Sequence, residues 1–196
     1  MPAAMRPDHT AFENELAGVP EAVPLALALL DVDEFKELND EEGREAGDAV
    51  LRSLERTLAT NLPSDAIVGR VGGDEYALAL QRTSPESALI LLEEMRAHIA
   101  LRDSVSVSVG IAARPQHATG AADLIRAAGE ALFRAKREGR GRVAIYVEDR
   151  MTLKSNYYPK AALERLSKLS DATDRTEASL LREALDDLLA RHSDEL

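Results

Sequence analysis

The chain has 196 residues, 45% of them apolar and none of them cysteine, enough for one ordinary domain plus a small appendage. Lacking cysteine, it forms no disulfide and no thiolate metal site, which fits a reducing compartment. A net charge of −11 argues against nonspecific nucleic-acid binding by the molecule as a whole, although residues 150–182 carry seven basic and four acidic side chains.

Met1–Gly18 is polar and has no signal-peptide core, and the longest apolar run, around Val23–Leu30, is too short to span a bilayer. A soluble, cytoplasmic protein without a membrane partner is therefore expected. Phe12, Leu16 and Val19 predict a short leading helix. Residues 25–32 read as a buried strand that runs into Asp31-Val32-Asp33. A helical stretch ending near Gly43 follows, then a helix over 45–60 with Val50, Leu51, Leu54 and Leu58 on one face. Ala66–Val71 and Tyr76–Leu80 flank Gly72-Gly73 as a hairpin, the two glycines being expected to supply positive φ for a tight turn. Ser84 as N-cap and Pro85 at the first helical position open a helix whose apolar side is Leu89, Leu92, Met95 and Ile99. A strand over 104–112, a loop at Arg114–Gly120, a helix over 121–138 and a strand over 142–147 complete the order. Such an order predicts an α+β sheet with helices on one or both faces.

Chemistry concentrates at the end of the first strand and in the hairpin. Asp74 and Glu75 are adjacent carboxylates that repel each other and call for a cation. With strand and hairpin as neighbours, Asp31 and Asp74 converge as oxygen ligands for Mg²⁺, an arrangement suited to a nucleoside triphosphate.

Four motifs carry a resemblance. Asp31-Val32-Asp33-Glu34-Phe35-Lys36-Glu37-Leu38-Asn39-Asp40 with Gly43 and Gly47-Asp48 resembles the first signature of GGDEF-family diguanylate cyclases. Gly72-Gly73-Asp74-Glu75-Tyr76 is similar to their name-giving motif, Ser104–Gly110 to the strand before their last helix, and Ala131–Arg140 to that helix. The resemblance spans residues 6–148 and implies the palm-like fold of nucleotidyl cyclases. It also implies condensation of two GTP molecules into cyclic di-GMP, with two Mg²⁺ (or Mn²⁺) ions per active site. Asp31, Asp74 and the Val32 carbonyl would then hold metal. Glu75 would be a second acidic group beside the metal or the attacking hydroxyl, so Asp74 and Glu75 are the catalytic pair. Asn39 and Asp48 would read guanine, since a carboxylate accepts from N1–H and the exocyclic amine, which adenine cannot match. Phe35 and its neighbouring amides, Lys36, Lys136 and Arg140 would bind phosphate. Taken singly, Asp33 reads as a cap of the following turn, Asp48 as an N-cap for a helix at 49–60, and the basic helix end as dipole compensation. Departures from the family pattern are Arg44 for His, Gly129 for Asp, Gly141 for Asn and Tyr76 for Phe. Leu62-Pro63-Ser64-Asp65 stands where an Arg-x-x-Asp product-inhibition site would be, so that arginine is missing.

From Thr152 the texture changes. A short stretch through Tyr158 stops at Pro159, and a helix with Leu163, Leu166 and Leu169 follows. A polar turn, Asp171–Arg175, leads to Thr176 as N-cap of a helix bearing Leu180, Leu181, Ala184, Leu185, Leu188 and Leu189. One strand and two helices cannot bury a core alone, and two copies pairing their strands would solve this. Residues 151–192 resemble a ribbon-helix-helix domain, which implies dimerisation and DNA binding. The ribbon Leu153–Tyr157 would present Lys154 and Asn156 to bases, with Arg175 and Thr176 at a phosphate. A helical hairpin that merely dimerises, or packs back on the first domain, is the plainer reading of the same residues. The leading function is a diguanylate cyclase fused to a DNA-binding homodimer or higher oligomer. The alternative is a non-catalytic transcription regulator responsive to GTP or cyclic di-GMP.

Overall fold

Along Leu25–Val32, successive side chains point to opposite faces of a sheet, and both faces are apolar. Ala26, Ala28, Leu30 and Val32 enter one core, while Leu25 and Leu27 enter another. A strand of this kind is central and covered by helices on both sides. The computed structural model describes residues 5–6, 9–147, 158–173 and 175–191 and places this strand in the middle of a six-stranded sheet.

In chain order the elements of the first unit are β1 (Met5–Arg6), α1 (His9–Ala17), β2 (Leu25–Val32), α2 (Phe35–Glu42), α3 (Arg44–Asn61) and β3 (Ile67–Arg70). They continue with β4 (Glu75–Gln81), α4 (Pro85–Asp103), β5 (Val107–Arg114), α5 (Ala121–Arg137) and β6 (Val143–Ile145). The sheet order is β1-β3-β4-β2-β5-β6. β1 and β6 pair parallel to their neighbours, and the three inner pairings are antiparallel. One core joins the sheet to Leu51, Leu54 and Leu58 of α3 and to Leu92, Met95 and Ile99 of α4. The other joins it to Phe12 and Leu16 of α1 and to Leu124, Ala127, Ala128 and Ala131 of α5. This is the α+β architecture that the order of elements predicts. Ser84 caps α4 by accepting from the Ser87 amide at 3.1 Å, with Pro85 opening the helix.

Several expectations shift. The strand expected over 104–112 begins at Val107, because α4 runs on to Asp103 and Ser104 ends it in the left-handed conformation at φ 54°. The same strand extends to Arg114, where the sequence predicts the start of a loop. Its guanidinium is buried and donates to the carbonyls of Val23, Val19 and Pro20 at 2.9–3.1 Å, which meets the cost of burying a charge. Neither Gly72 nor Gly73 adopts positive φ, so the hairpin turn does not use the freedom expected of them. The two-residue β1 carries no periodicity that a sequence reading could detect.

The second unit contains α6 (Lys160–Thr173) and α7 (Glu177–Arg191). The polar turn expected at Asp171–Arg175 is shorter, because α6 continues through Thr173, whose hydroxyl donates to the Leu169 carbonyl. Thr176 is the N-cap of α7, accepting from the Ser179 amide at 3.2 Å. No residue of α6 is buried, and Leu163, Leu169, Leu181, Leu185 and Leu188 are exposed. The predicted ribbon at 153–157, with Lys154 and Asn156, lies outside the described residues. Among the described residues, no helix is long and apolar enough to cross a membrane.

Candidate active site

The candidate site gathers at the end of β2, where four segments meet. β2 and β4 are hydrogen-bonded neighbours with Asp31 opposite Glu75, and the Val32 amide donates to the Asp74 carbonyl at 3.2 Å. The turn beyond β3 is therefore drawn against the end of β2. Gly72 sits close under Glu75: a Cβ there would lie 2.7 Å from Glu75 Oε2 and 3.1 Å from Glu75 Cβ, so a side chain at this position displaces the exposed Glu75 carboxylate. Arg70 holds the same turn by donating through Nε to the Gly73 carbonyl at 3.1 Å.

Asp31 is buried, whereas Asp74 is half-buried and Glu75 exposed. Burial raises the Asp31 pKa above its ordinary 3.8. Lys136 opposes that shift, and the negative charges of Asp74 and Glu75 add to it. Lys136 Nζ sits 2.7 Å from Asp31 Oδ1, bringing the end of α5 to the end of β2. The ammonium thus occupies the place where positive charge is needed. Among the described residues no three acidic, histidine or cysteine side chains form a ready metal cage. The donors at hand are carboxylate and carbonyl oxygens, hard ligands that suit Mg²⁺ when phosphate and water oxygens complete the shell. The residues therefore fit a divalent cation held jointly with a triphosphate.

α2 begins beside this point. Glu34 precedes it in the left-handed region (φ 56°, ψ 30°), and no side chain caps the helix start. Uncapped amides at the positive end of a helix are suited to anionic oxygen. Phe35 is half-buried against the core, which fixes those amides, while Lys36 is exposed. Asn39 bonds back to the Phe35 carbonyl at 3.0 Å. A Cβ on Gly47 would come within 2.9 Å of Asn39 Cγ and 3.1 Å of Phe35 Cζ, so Gly47 lets α3 close on α2 at Asn39. Asp48 follows, exposed on α3. It is not an N-cap, because α3 starts four residues earlier at Arg44 with Gly43 in the cap position.

Arg140 is exposed in the turn after α5. Asp33, read from sequence as a cap of its own turn, instead reaches across the site. Its carboxylate accepts from Ser106 Oγ and Ser108 Oγ, each at 2.7 Å, and from the Gly141 amide at 3.0 Å. These partners lie 73 to 108 residues away, and only the spacing of Ser106, just before β5, and Ser108 within it signals them. A second cluster was missed. The Tyr76 hydroxyl donates to Glu55 Oε1 at 3.2 Å, and Glu55 also pairs with Arg70 at 3.7 Å. Burial and the Glu55 charge push the Tyr76 phenol well above its ordinary pKa. In the second unit, Arg175 is held by Glu183 at 2.6 Å and by Ser179 at 3.3 Å, so phosphate contact there requires breaking an ion pair.

A family model described as "Diguanylate cyclase, GGDEF domain" matches residues 9–142. Diguanylate cyclase DosC of Escherichia coli (strain K12) is 34% identical over 147 residues, covering 70% of this chain and 32% of that protein. The chain thus spans about a third of that relative's length. The GGDEF domain of PA1120 (YfiN or TpbB) from Pseudomonas aeruginosa superposes with a TM-score of 0.67 at 32% identity, over 73% of this chain and 98% of that one. The GGDEF domain of DgcB from Caulobacter crescentus, solved in complex with c-di-GMP, gives 0.64 at 29% identity over 70% and 90%.

Proposed function

The chain belongs to the GGDEF family of diguanylate cyclase domains, and from that premise we propose that residues 6–148 condense two GTP molecules into cyclic di-GMP. Each of two facing domains holds one GTP. The 3′-hydroxyl of one gives its proton to water as its oxygen bonds to the α-phosphorus of the other, the bond from that phosphorus to the β-phosphate oxygen breaks, and pyrophosphate leaves. Repeating the step in the opposite sense closes the ring. The observation that carries this reading is the junction of buried Asp31, the Asp74 turn and Lys136 at the end of β2.

Asp31, Asp74 and the Val32 carbonyl would hold Mg²⁺ or Mn²⁺, two ions per site, and bound cations would stabilise the attacking and departing oxygens. Glu75, opposite Asp31 across the β2–β4 pairing, would be the further acid, beside the metal or the attacking hydroxyl. With a cation on the carboxylates, Lys136 would be free to turn from Asp31 to phosphate. The amides opening α2 at Phe35, with Lys36 and Arg140, cradle the remaining phosphate oxygens. Asn39 and Asp48, on adjoining helices closed around Gly47, read the guanine edge. Incubation with GTP and Mg²⁺ followed by chromatography of the products tests the reading. Cyclic di-GMP from GTP, with ATP a poor substrate, is expected; GTP left unconsumed by folded protein contradicts it.

For residues 151–192 we propose a ribbon-helix-helix dimer that binds DNA. The supporting observations are the Thr176 cap and a helix pair too exposed to stand alone. In this reading Lys154 and Asn156 face bases, and Thr176 with the α7 amides meets a phosphate. Arg175 joins them only if it leaves Glu183. Loss of sequence-specific DNA retention in a Lys154→Ala, Asn156→Ala double variant that stays dimeric is the expected result. Unchanged retention in that variant removes the proposal.

A further inference from the structure

We propose that Asp33 is a positioning residue for the triphosphate end of this site, acting through the turn that carries Arg140; the proposal rests on the cyclase reading above. The turn is unusual. Gly139, Arg140 and Gly141 are consecutive residues at φ 114°, 57° and 56°. Two glycines take such values freely, but an arginine between them does so at a cost, and a strained backbone persists only where its surroundings over-determine it.

Three backbone amides of this turn donate, that of Gly139 to the Lys136 carbonyl at 3.4 Å as part of the helix ending. The Arg140 amide donates to the Ala135 carbonyl at 3.1 Å, which is an ordinary helix ending. The Gly141 amide donates to Asp33 Oδ2 at 3.0 Å, and this one is long-range. Asp33 is itself fixed, because Ser106 Oγ donates to Oδ2 and buried Ser108 Oγ to Oδ1, each at 2.7 Å. The turn also fits Ser106 closely: a Cβ on Gly141 would lie 2.8 Å from Ser106 Oγ. A carboxylate accepting three hydrogen bonds is a rigid anchor.

Its place in the chain gives the anchor a functional meaning. Asp33 lies two residues after Asp31 and three before Lys36, between the metal carboxylate and the start of α2. The end of α5 is therefore tied twice to the end of β2 and the turn that follows it, through Lys136 to Asp31 at 2.7 Å and through the Gly141 amide to Asp33. The first tie is exchangeable, since Asp31 and Lys136 each have a ligand to serve. The second has no such duty and survives substrate binding. Asp33 thus keeps Arg140 at the phosphates while Lys136 changes partner.

A double-mutant cycle separates this role from a purely structural latch. Binding of a non-reacting GTP analogue and of GMP is measured for the full chain, Asp33→Ala, Arg140→Ala and the double variant. Each single variant weakens the triphosphate about tenfold and leaves GMP within about twofold. The double variant loses little beyond either single one. A loss near a hundredfold in the double variant, or a parallel loss of GMP, overturns the proposal. Should Asp33→Ala not fold, Gly141→Ala strains the same turn from its other side and must show the same triphosphate-selective loss; unchanged triphosphate binding there overturns the proposal equally. A wild-type chain that binds neither nucleotide removes the cyclase reading and this inference with it, a result distinct from additivity.

Discussion

The first unit and the helix pair treat their leucines in opposite ways. Leu25, Leu27, Leu30, Leu78 and Leu80 of the sheet, with Leu54 and Leu58 of α3, pack between the sheet and its helices and are almost wholly withdrawn from water. In α6 and α7, Leu180 is buried, while Leu185 at 54% and Leu169 at 49% remain accessible. The first unit has the surface-to-volume ratio of a domain that stabilises itself; the second does not. Chemistry follows the same division. The candidate site, which needs charges held within tenths of an ångström, sits on the rigid sheet end, and the leucines that the proposed dimer would cover sit on the exposed helices.

The largest effect expected of a single substitution is at the rigid end. Asp74→Ala should lower cyclic di-GMP formation about a thousandfold with the melting profile of the first unit preserved. Steady-state assay against a circular dichroism melt checks both halves, and retained turnover would dissolve the link between the hairpin and the chemistry. Next comes the exposed unit. Leu185→Asp should weaken self-association about a hundredfold by sedimentation while the first unit melts unchanged. An unaltered association constant would mean that those leucines serve no second copy.

Smaller effects sharpen the picture of the site. Asp48→Ala should reduce the preference for GTP over ATP about tenfold in kcat/KM, because the guanine edge loses its acceptor. Equal loss for both nucleotides would place Asp48 outside base recognition. The smallest effect concerns Asp31. Burial raises its pKa in the folded chain above 3.8, so the folded state binds that proton more tightly than the unfolded state does. The group's contribution is fully present below about pH 4, is lost as pH rises through the raised value, and leaves an ionised carboxylate as a burden at neutral pH. Asp31→Asn should therefore raise the melting temperature of nucleotide-free protein at pH 7 by roughly a few degrees while removing metal-dependent turnover. A lower melting temperature would show that the Lys136 pair outweighs burial.

What could be read from the sequence followed physical locality. Leu25–Val32, the Ser84-Pro85 helix start and the Thr176 cap were legible because periodicity and capping act over a few residues. Asp31 and the Asp74 turn were legible as a pair because a strand and a hairpin are short, well-signalled elements. Arg114 was not, since a charged residue at a strand end reads as loop until three carbonyls from residues 19–23 are seen around it. Asp33 failed for the same reason at longer range. The Gly-Gly dipeptide was correct as a turn signal but not for the cause expected, since neither glycine takes positive φ and the turn instead brings Glu75 close over Gly72.

Specific activity of cyclic di-GMP formation from GTP and Mg²⁺, followed as the full chain and its Leu185→Asp variant are diluted, tests the central claim most directly. The account predicts product from both chains, with the activity per molecule of the variant falling at higher concentration than that of the full chain, because two half-sites must meet. Folded protein that yields no cyclic di-GMP at any concentration would contradict it.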